Sequence, residues 1–179
     1  MENKKSFNLL KNIKLLLLDV DGVLTDNQIY LSSDKNELKS FCIDDGTGAA
    51  IARFASLNLG LLSGRYSKCT ELWAKELGID CCIQGVIDKK NKLPEICEIF
   101  NIELNEIAYV GDALIDIPVF EKVGVAIAVP NAHSLVKEKA NMITDSSGGE
   151  GVLTELVEKI LISQGRYQQT LMTMKNEKF

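Results

Sequence analysis

The sequence predicts an α/β fold, a doubly wound Rossmann-like parallel sheet with a small inserted β-hairpin and no cap domain. Short apolar runs alternate with helix-patterned segments along the chain, and this alternation is typical of βαβ units. The first run, IKLLLL at residues 13–18, is continuously apolar, as expected for a strand that is buried on both faces. Polar residues follow the ends of these runs, where open α/β sheets bind their ligands.

The other elements follow from the same patterns. Small and apolar residues at helical spacing predict a helix over 47–58, and Gly60 closes it. A second helix over 67–77 has Ser67 as its expected cap and Gly78 as its stop. The predicted strands are 13–18, 59–62, 81–84, 107–110 and 125–129, and further helices are expected over 92–100, at Pro118 and over 151–161.

Two segments interrupt the alternation of strands and helices. Residues 28–43 contain two strand-like runs around the polar turn SSDKN, which predicts an antiparallel hairpin beside the first strand. This insert is too short to form a cap domain. The tail, residues 164–179, is polar and weakly patterned, and we expect it to be mobile unless another surface receives it. A single domain over residues 1–179 is therefore expected.

Composition and charge exclude several classes of protein. Apolar residues make up 46% of the chain and charged residues 25%, and the formal net charge of −5 argues against nucleic acid as a partner. No apolar run approaches the ~20 residues that span a bilayer, and the N-terminus lacks the apolar stretch of a signal peptide, so no membrane is expected as a partner. The five cysteines lack CxxC spacing, which favours free thiols in the cytoplasm.

Acidic residues follow the first predicted strand at close spacing, in LLLLDVDGVLTD. Asp19 and Asp21 would repel each other in a buried site, so a positive charge is needed to keep both ionised. Asp26 is interpreted as a turn residue. The carboxyl ends of the other strands carry further polar groups, and in a parallel sheet these converge on one small volume. They are Ser63, Gly64 and Arg65 after the second strand, Lys89 after the third, and Asp112 and Asp116 after the fourth.

Hard oxygen ligands in this arrangement predict a site for Mg²⁺. Asp19 and Asp112 would supply carboxylate ligands, with a backbone carbonyl near Asp21 and water molecules completing an octahedral shell. A metal surrounded by several aspartates retains little attraction for a substrate unless that substrate is an anion. A phosphate monoester meets this requirement.

The residues around the expected phosphate suggest how it would react. Ser63 and the amide of Gly64 can donate hydrogen bonds to phosphate oxygens, and Lys89 supplies a point charge. Asp19 would attack phosphorus and form an aspartyl-phosphate. Asp21 would protonate the leaving alkoxide and then deprotonate the hydrolytic water.

These motifs resemble those of the haloacid dehalogenase superfamily of phosphatases. DVDGVLTD, LLSGR, the lysine of QGVIDKK and GDALID are similar, in order, to the four motifs of that superfamily. More closely, roughly residues 13–165 resemble the capless 3-deoxy-D-manno-octulosonate 8-phosphate (KDO 8-phosphate) phosphatases, in segments such as ELKSF and AVPNAH. The resemblance implies Asp19 as nucleophile and Asp21 as acid/base. It further implies Mg²⁺ held by Asp19, Asp112 and the carbonyl of Asp21, with Asp116 supporting the lysine or the metal.

The resemblance also implies an assembly. Capless members of this kind are typically homotetramers, in which a neighbour's hairpin or tail helps to cover the site. The hairpin at 28–43 would suit that role, because exposed sheet edges are normally paired or covered.

Several assignments have competing interpretations. Lys89 has lysine neighbours and could lie on a solvated charged face, and Arg65 could form a surface ion pair. Asp44, Asp45 and Gly46 are candidates for substrate contact, although the two acids could instead be caps before the first helix.

The resemblance leaves the substrate between two sugars. Octulosonate phosphatases tend to carry arginines where this chain has Asp44, Ala50, Trp73 and Glu150, whereas QGVIDK and GGEGV are more similar to phosphatases of nine-carbon ulosonic acid 9-phosphates. A phospho-aspartate signalling module is a further alternative, since receiver domains place similar acids and a lysine on a parallel sheet. In receivers the lysine comes last, whereas here it precedes Asp112, and this order favours the phosphatase.

Overall fold

The structure is a computed structural model that describes residues 8–79 and 81–176. Short 3₁₀ turns occur at Leu10–Asn12, Lys89–Lys92, Leu104–Glu106 and Leu114–Asp116. The strands are β1 (Leu15–Leu18), β2 (Tyr30–Leu31), β3 (Glu37–Leu38), β4 (Asn58–Leu62), β5 (Cys81–Ile83), β6 (Ile107–Gly111), β7 (Val125–Ala128) and β8 (Met142–Ile143). The helices are α1 (Asp44–Phe54), α2 (Lys68–Leu77), α3 (Leu93–Phe100), α4 (Ile117–Phe120), α5 (Ser134–Lys139), α6 (Val152–Ser163) and α7 (Tyr167–Asn176). In the described part of the chain, no helix has the length and apolarity to cross a membrane.

Six parallel strands form the central sheet in the order β5-β4-β1-β6-β7-β8, which confirms the predicted fold class. The chain adds β4 and β5 on one side of β1 and then returns to add β6, β7 and β8 on the other side. Leu15 of β1 lies in register with Asn58 of β4 and Ile107 of β6. The direction of winding therefore switches at β1, and sheets of this kind bind ligands at the carboxyl ends of the strands beside the switch.

The core lies on the central strands. Every residue of β1, β6 and β7 is buried, as expected for parallel strands whose two faces are both covered by helices. Helix α6 packs against α1 and adds a stripe of buried side chains at helical spacing. That stripe consists of Leu153, Leu156, Val157, Ile160 and Leu161.

Helix α1 begins and ends earlier than predicted. It spans Asp44–Phe54 rather than 47–58, so that Asp44 and Asp45 occupy its first turn. Acidic side chains stabilise the first turn of a helix through the helix dipole, and a pattern of apolar residues does not report that contribution. Asn58, expected in the helix, is the first residue of β4.

Helix α2 agrees with the prediction. The side chain of Ser67 caps it by accepting a hydrogen bond from the backbone N–H of Thr70. Gly78 ends it in the left-handed conformation, with a φ of 69°.

Strands β2 and β3 form the predicted antiparallel hairpin, with Tyr30 opposite Leu38 and Leu31 opposite Glu37. The hairpin is a separate two-stranded sheet and does not extend the central one. Its apolar side chains point to the surface, since Tyr30 is 53%, Leu31 71% and Leu38 64% exposed.

We expected the tail to be mobile unless another surface receives it, and in the structure such a surface is present. Residues Tyr167–Asn176 form α7, which packs against α1 and α6. Thr170 and Met174 are buried, and the guanidinium of Arg166 donates to the carbonyl of Ala55. The helix itself was not predicted, because two inward side chains one turn apart give too weak a pattern in a polar segment. The last three residues of the predicted tail lie outside the described residues.

Helix α5 and strand β8 were not predicted. They contain six and two residues, too few to show a helical or a strand period. Asn141 fixes this part of the chain, because its side-chain oxygen accepts from the backbone N–H of Ala126 at 2.7 Å.

Helix α7 should contribute to stability through its buried face. Met174 is 8% exposed, so replacing it by alanine should lower the free energy of unfolding by about 2 kcal/mol and the Tm by about 4–8 °C. The matched control is Met172→Ala on the same helix, where the side chain is 64% exposed and the change should stay within about 0.5 kcal/mol. Urea denaturation measures both. Equal losses for the two variants would contradict the packing of α7.

Candidate active site

The carboxyl ends of the central strands bring four charged side chains together. Asp19 follows β1 and Asp112 follows β6, the strand beside it in the sheet. Lys89 comes from the turn before α3, and Asp116 from the turn before α4. All four are buried, with exposed fractions of 5% for Asp19, 7% for Asp112, 1% for Lys89 and 0% for Asp116. We call these four residues the acid–lysine cluster.

The ammonium of Lys89 lies between two carboxylates. Its Nζ is 2.6 Å from Oδ2 of Asp19 and 2.7 Å from Oδ1 of Asp116. Lysine is rarely buried to this extent without such partners, because an unpaired charge in a dry site is strongly unfavourable. Lys89 therefore does not lie on a solvated charged face, the alternative that its lysine neighbours had left open.

Tyr109 completes this network from β6, and sequence reasoning missed it. Its hydroxyl donates to Oδ1 of Asp116 at 2.6 Å and accepts from Nζ of Lys89 at 3.0 Å. Complete burial and the nearby carboxylates raise the pKa of Tyr109 well above its ordinary value, which keeps the phenol protonated. The sequence did contain a sign of this role, because Tyr109 lies within the apolar run IAYV and a buried tyrosine hydroxyl requires a hydrogen-bond partner.

Asp116 organises the loop after β6. Its Oδ2 accepts hydrogen bonds from the backbone N–H groups of Asp112 and Ala113, each at 3.0 Å. A Cβ atom at Gly111 would come within 2.5 Å of the Asp116 carboxyl carbon, so only glycine permits this approach. Asp116 thus holds both the lysine and the loop that carries Asp112.

The cluster carries more negative than positive charge. Burial raises the pKa of Asp112 to about 7 and that of Asp19 to about 6, and neighbouring carboxylates add to both shifts while Lys89 opposes them. Burial alone would lower the pKa of Lys89, but Asp19 and Asp116 more than offset it and raise the pKa above its ordinary value. Lys89 therefore stays charged, and the remaining carboxylates favour binding of a further cation.

The donor set fits a hard divalent cation. Asp19, Asp112 and Asp116 each offer an oxygen atom, and these atoms all lie within 4.8 Å of one another. Oδ1 of Asp112 is buried without a hydrogen-bond partner among the described residues, whereas both oxygens of Asp116 are engaged. A Cβ at Gly22 would lie 2.2 Å from Oδ2 of Asp112, so glycine lets the loop after β1 approach this carboxylate. Asp19 and Asp112 are accordingly the side chains best placed to bind Mg²⁺.

Asp21 lies at the mouth of the cluster. Its side chain is 22% exposed, and its Oδ1 accepts a hydrogen bond from Nζ of Lys39, whose own side chain is 0% exposed. Lys39 follows β3 of the hairpin and was not singled out from the sequence, since a lysine in a polar hairpin is usually solvated. Asp26, in the same loop as Asp21, accepts from the backbone N–H of Gln28, as expected of a turn residue.

The loop after β4 carries the predicted phosphate contacts. Ser63 is 1% exposed, and its hydroxyl donates to the carbonyl of Arg65 at 3.0 Å and accepts from the N–H of Arg65 at 3.3 Å. A Cβ at Gly64 would meet Ile115 at 3.0 Å, so glycine allows this loop to pack against the segment after β6. The guanidinium of Arg65 forms an ion pair with Glu37 of the hairpin. An ion pair was the alternative to substrate contact that the sequence left open for Arg65.

The structure places Asp45 away from open solvent. Its side chain is fully buried, and Oδ1 accepts from the backbone N–H of Leu153 at 3.0 Å in the first turn of α6. The carbonyl of Asp44 accepts from the hydroxyl of Thr154 at 2.6 Å, and the Cα of Gly46 faces open space. These contacts favour a structural role for Asp45, which links α1 to α6, over contact with a substrate.

The structure places Asp44, Ala50, Trp73 and Glu150 in three kinds of surroundings. Trp73 stacks on Phe41, which follows the hairpin, with 5.3 Å between ring centroids, and Ala50 packs against the core. Asp44 and Glu150 are exposed at the start of α1 and just before α6. The surface at these two helix starts is therefore acidic.

Comparisons with known proteins agree with the geometry. Residues 66–156 match the haloacid dehalogenase-like hydrolase family. The 3-deoxy-D-manno-octulosonate 8-phosphate phosphatase KdsC of Escherichia coli is 39% identical over 159 residues, which cover 89% of this chain and 85% of that protein. The chain belongs to the haloacid dehalogenase-like hydrolases. The resemblance predicted from the motifs is thus confirmed.

Solved structures give the same result. The 3-deoxy-D-manno-octulosonate 8-phosphate phosphatase of Moraxella catarrhalis, in complex with magnesium, phosphate and KDO, has a TM-score of 0.90 and 35% identity, covering 96% of this chain and 98% of that chain. A putative hydrolase of the same superfamily (subfamily III A) from Legionella pneumophila has a TM-score of 0.93 and 31% identity, covering 98% of this chain and 97% of that chain. No cap domain is evident in residues 8–79 and 81–176.

The buried carboxyl of Asp45 predicts a pH-dependent stability. Burial raises its pKa to about 6 from an ordinary 3.8, so the folded chain binds this proton more tightly than the unfolded chain does. The stabilising effect of that proton is fully present below pH ~4 and is lost as the pH rises to about 6. Asp45→Asn keeps an oxygen for Leu153 and cannot ionise. Relative to the wild type, it should gain about 1–3 kcal/mol of unfolding free energy between pH 4 and pH 8.

Urea denaturation of both proteins at several pH values measures this gain, with Asp44→Asn as the matched control at the exposed neighbouring position. Parallel pH profiles for Asp45→Asn and the wild type would contradict the raised pKa of Asp45.

Proposed function

We propose that this chain is a Mg²⁺-dependent phosphatase that hydrolyses a phosphorylated ulosonic acid, KDO 8-phosphate, to KDO and inorganic phosphate. The observation that carries this proposal is the acid–lysine cluster, which combines a carboxylate nucleophile, a buried ammonium and a cation site at the switch point of the sheet. A relative named for this reaction is 39% identical over 89% of the chain. The reaction would then supply a sugar for lipopolysaccharide synthesis.

In the proposed reaction Asp19 is the nucleophile. Its Oδ1 accepts from the backbone N–H of Val20 at 2.7 Å and its Oδ2 lies 2.6 Å from Lys89, so the carboxylate is held in one orientation. A bond forms between an Asp19 oxygen and phosphorus while the bond between phosphorus and the sugar oxygen breaks. Lys89 offsets the negative charge of the phosphoryl group during this transfer.

Asp21 is the proposed general acid and base. It lies two residues from the nucleophile, at the mouth of the cluster, where it can give a proton to the leaving sugar oxygen. The resulting carboxylate can then take a proton from the water that hydrolyses the aspartyl-phosphate. Ser63, Gly64 and Arg65, at the end of the neighbouring strand β4, are the proposed contacts for the phosphate oxygens and the sugar.

Asp19, Asp112 and the backbone carbonyl of Asp21 are the proposed ligands of Mg²⁺, with Asp116 supporting them. When bound, the ion neutralises charge shared by the phosphate and the carboxylates. The unpartnered Oδ1 of Asp112 supports this assignment from the protein side.

We also propose a homotetramer assembled through the hairpin. The exposed side chains of Tyr30 and Leu38 support it, because they pair across the two strands on one face of the hairpin, and exposed apolar pairs favour burial against another chain. Sedimentation should give the mass of four chains, and a monomer at micromolar concentration would contradict this assembly.

The proposed location is the cytoplasm. The free cysteines of the described chain suit that reducing compartment, and cell fractionation can check the location.

A screen of phosphate esters tests the function. Purified protein with Mg²⁺ should release phosphate from KDO 8-phosphate with a kcat/KM orders of magnitude above that for hexose phosphates, and EDTA should abolish turnover. N-acetylneuraminate 9-phosphate is the second candidate substrate, since Asp44 and Glu150 give an acidic surface where octulosonate phosphatases carry arginines. Lack of turnover together with a stable phospho-aspartate would favour the signalling module instead.

The same assay tests the nucleophile. Asp19→Asn should reduce phosphate release by at least about 10³-fold without loss of the fold, because an amide cannot form the aspartyl-phosphate. Asp26→Asn is the matched control in the same loop, since the variant keeps the oxygen that caps Gln28 and should retain activity. Turnover by Asp19→Asn near the wild-type rate would contradict the assigned nucleophile.

A further inference from the structure

A second buried lysine lies at the active site, and it comes from the hairpin. The backbone of Lys39 is at the surface, but its side chain is 0% exposed and its Nζ bonds Oδ1 of Asp21. An ordinary surface lysine extends its ammonium into water. The long side chain instead spans the gap between the hairpin and the loop after β1.

The surroundings of Lys39 fix its ammonium in place. Oε1 of Glu37 lies 3.9 Å from Nζ of Lys39. Glu37 in turn accepts from the guanidinium of Arg65 and from the hydroxyl of Ser67 at 2.7 Å. The hydrogen bond from Arg65 lowers the pKa of Glu37 to about 2, so Glu37 stays ionised. A chain of alternating charges, Asp21, Lys39, Glu37 and Arg65, thus joins the loops after β1 and β4 through the hairpin.

We propose that Lys39 is a positioning residue that holds the carboxyl of Asp21 for proton transfer to the leaving group. The ammonium engages Oδ1, which restricts rotation of the carboxyl group and leaves proton transfer to Oδ2. As the bond from phosphorus to the sugar oxygen breaks, the proton moves from Asp21 to that oxygen and Asp21 becomes a carboxylate. The ammonium of Lys39 stabilises this carboxylate as it forms. The inference rests on the proposed acid/base role of Asp21.

A purely structural role for Lys39 predicts a different result. If Lys39 only anchored the hairpin, its loss would lower the hydrolysis of every ester alike. If it positions the general acid, the loss depends on the leaving group. An alkoxide needs a proton to depart, whereas p-nitrophenolate departs readily without one. The measured quantity is kcat/KM, because it covers the steps up to the formation of the phospho-enzyme and omits its later hydrolysis.

The experiment compares Lys39→Met with the wild type on two esters, p-nitrophenyl phosphate and KDO 8-phosphate. If the wild type hydrolyses another sugar phosphate faster, that ester replaces KDO 8-phosphate. We expect kcat/KM for the sugar phosphate to fall on the order of 10²-fold and that for p-nitrophenyl phosphate to fall less than about threefold. Lys39→Arg should recover much of the loss, because it keeps a charged donor. Lys35→Met, an exposed lysine in the turn of the same hairpin, is the matched control and should resemble the wild type.

Asp21→Asn separates failure of this inference from failure of the proposed function. It should show the same preference for the better leaving group, and adding Lys39→Met to it should cause little further loss, since both changes remove one function. Equal losses on both esters for Lys39→Met, or no loss on either, would overturn the role of Lys39 while leaving that of Asp21 intact. Equal losses for Asp21→Asn would overturn the acid/base assignment itself. If Lys39→Met fails to fold, Lys39→Gln provides the same comparison.

Discussion

The ion pair network of Lys89 is the interaction on which the site depends. A buried ammonium is stable here because Asp19 and Asp116 lie within 2.7 Å of it and Tyr109 accepts a further hydrogen bond. Removing one partner of such a buried pair leaves an uncompensated charge and typically destabilises a protein by about 3–5 kcal/mol. The same contacts that keep Lys89 buried also hold the proposed nucleophile in one orientation, so stability and chemistry rest on the same atoms.

The cluster is nevertheless not neutral by itself. Asp19, Asp112 and Asp116 face a single ammonium, and burial together with the neighbouring carboxylates raises the pKa of Asp19 and Asp112. A divalent cation would balance this charge, and the close approach at Gly22 brings the loop after β1 near enough to Asp112 to share one. The close approach at Gly111 makes room for the carboxyl of Asp116. This arrangement gives a physical reason for the DVDG and GDALID motifs, because a side chain at either glycine would displace a functional carboxylate.

The hairpin connects this chemistry with the surface of the molecule. One face of it reaches the site through Lys39 and Glu37, while Tyr30 and Leu38 are exposed on the other face. In a fold without a cap domain, contacts made by those outward residues act on the same short element that holds Asp21. The proposed assembly and proton transfer would then be coupled through a few residues.

Much of this protein was determined by the sequence itself. Continuous apolar runs specified the parallel sheet, because a strand buried on both faces cannot contain charges, and the acids placed at the ends of those runs had to meet at one edge. Asp19, Lys89, Asp112 and Asp116 were therefore found from the sequence. Ser67 and Gly78 likewise marked the ends of a helix, since capping is a local interaction.

Only the tertiary structure decided which polar groups pair over long distances. In the sequence, Tyr109 resembled an ordinary strand residue and Lys39 an ordinary surface residue, yet both bond charged groups at the site. Asp45 accepts a hydrogen bond from an amide more than a hundred positions away. Helix α7 packs on a surface made of α1 and α6. Hydrophobic periodicity reports which face of an element is buried, but it carries no information about the partner of a single buried polar atom. That partner is set by where distant segments meet, and so it becomes visible only in the folded chain.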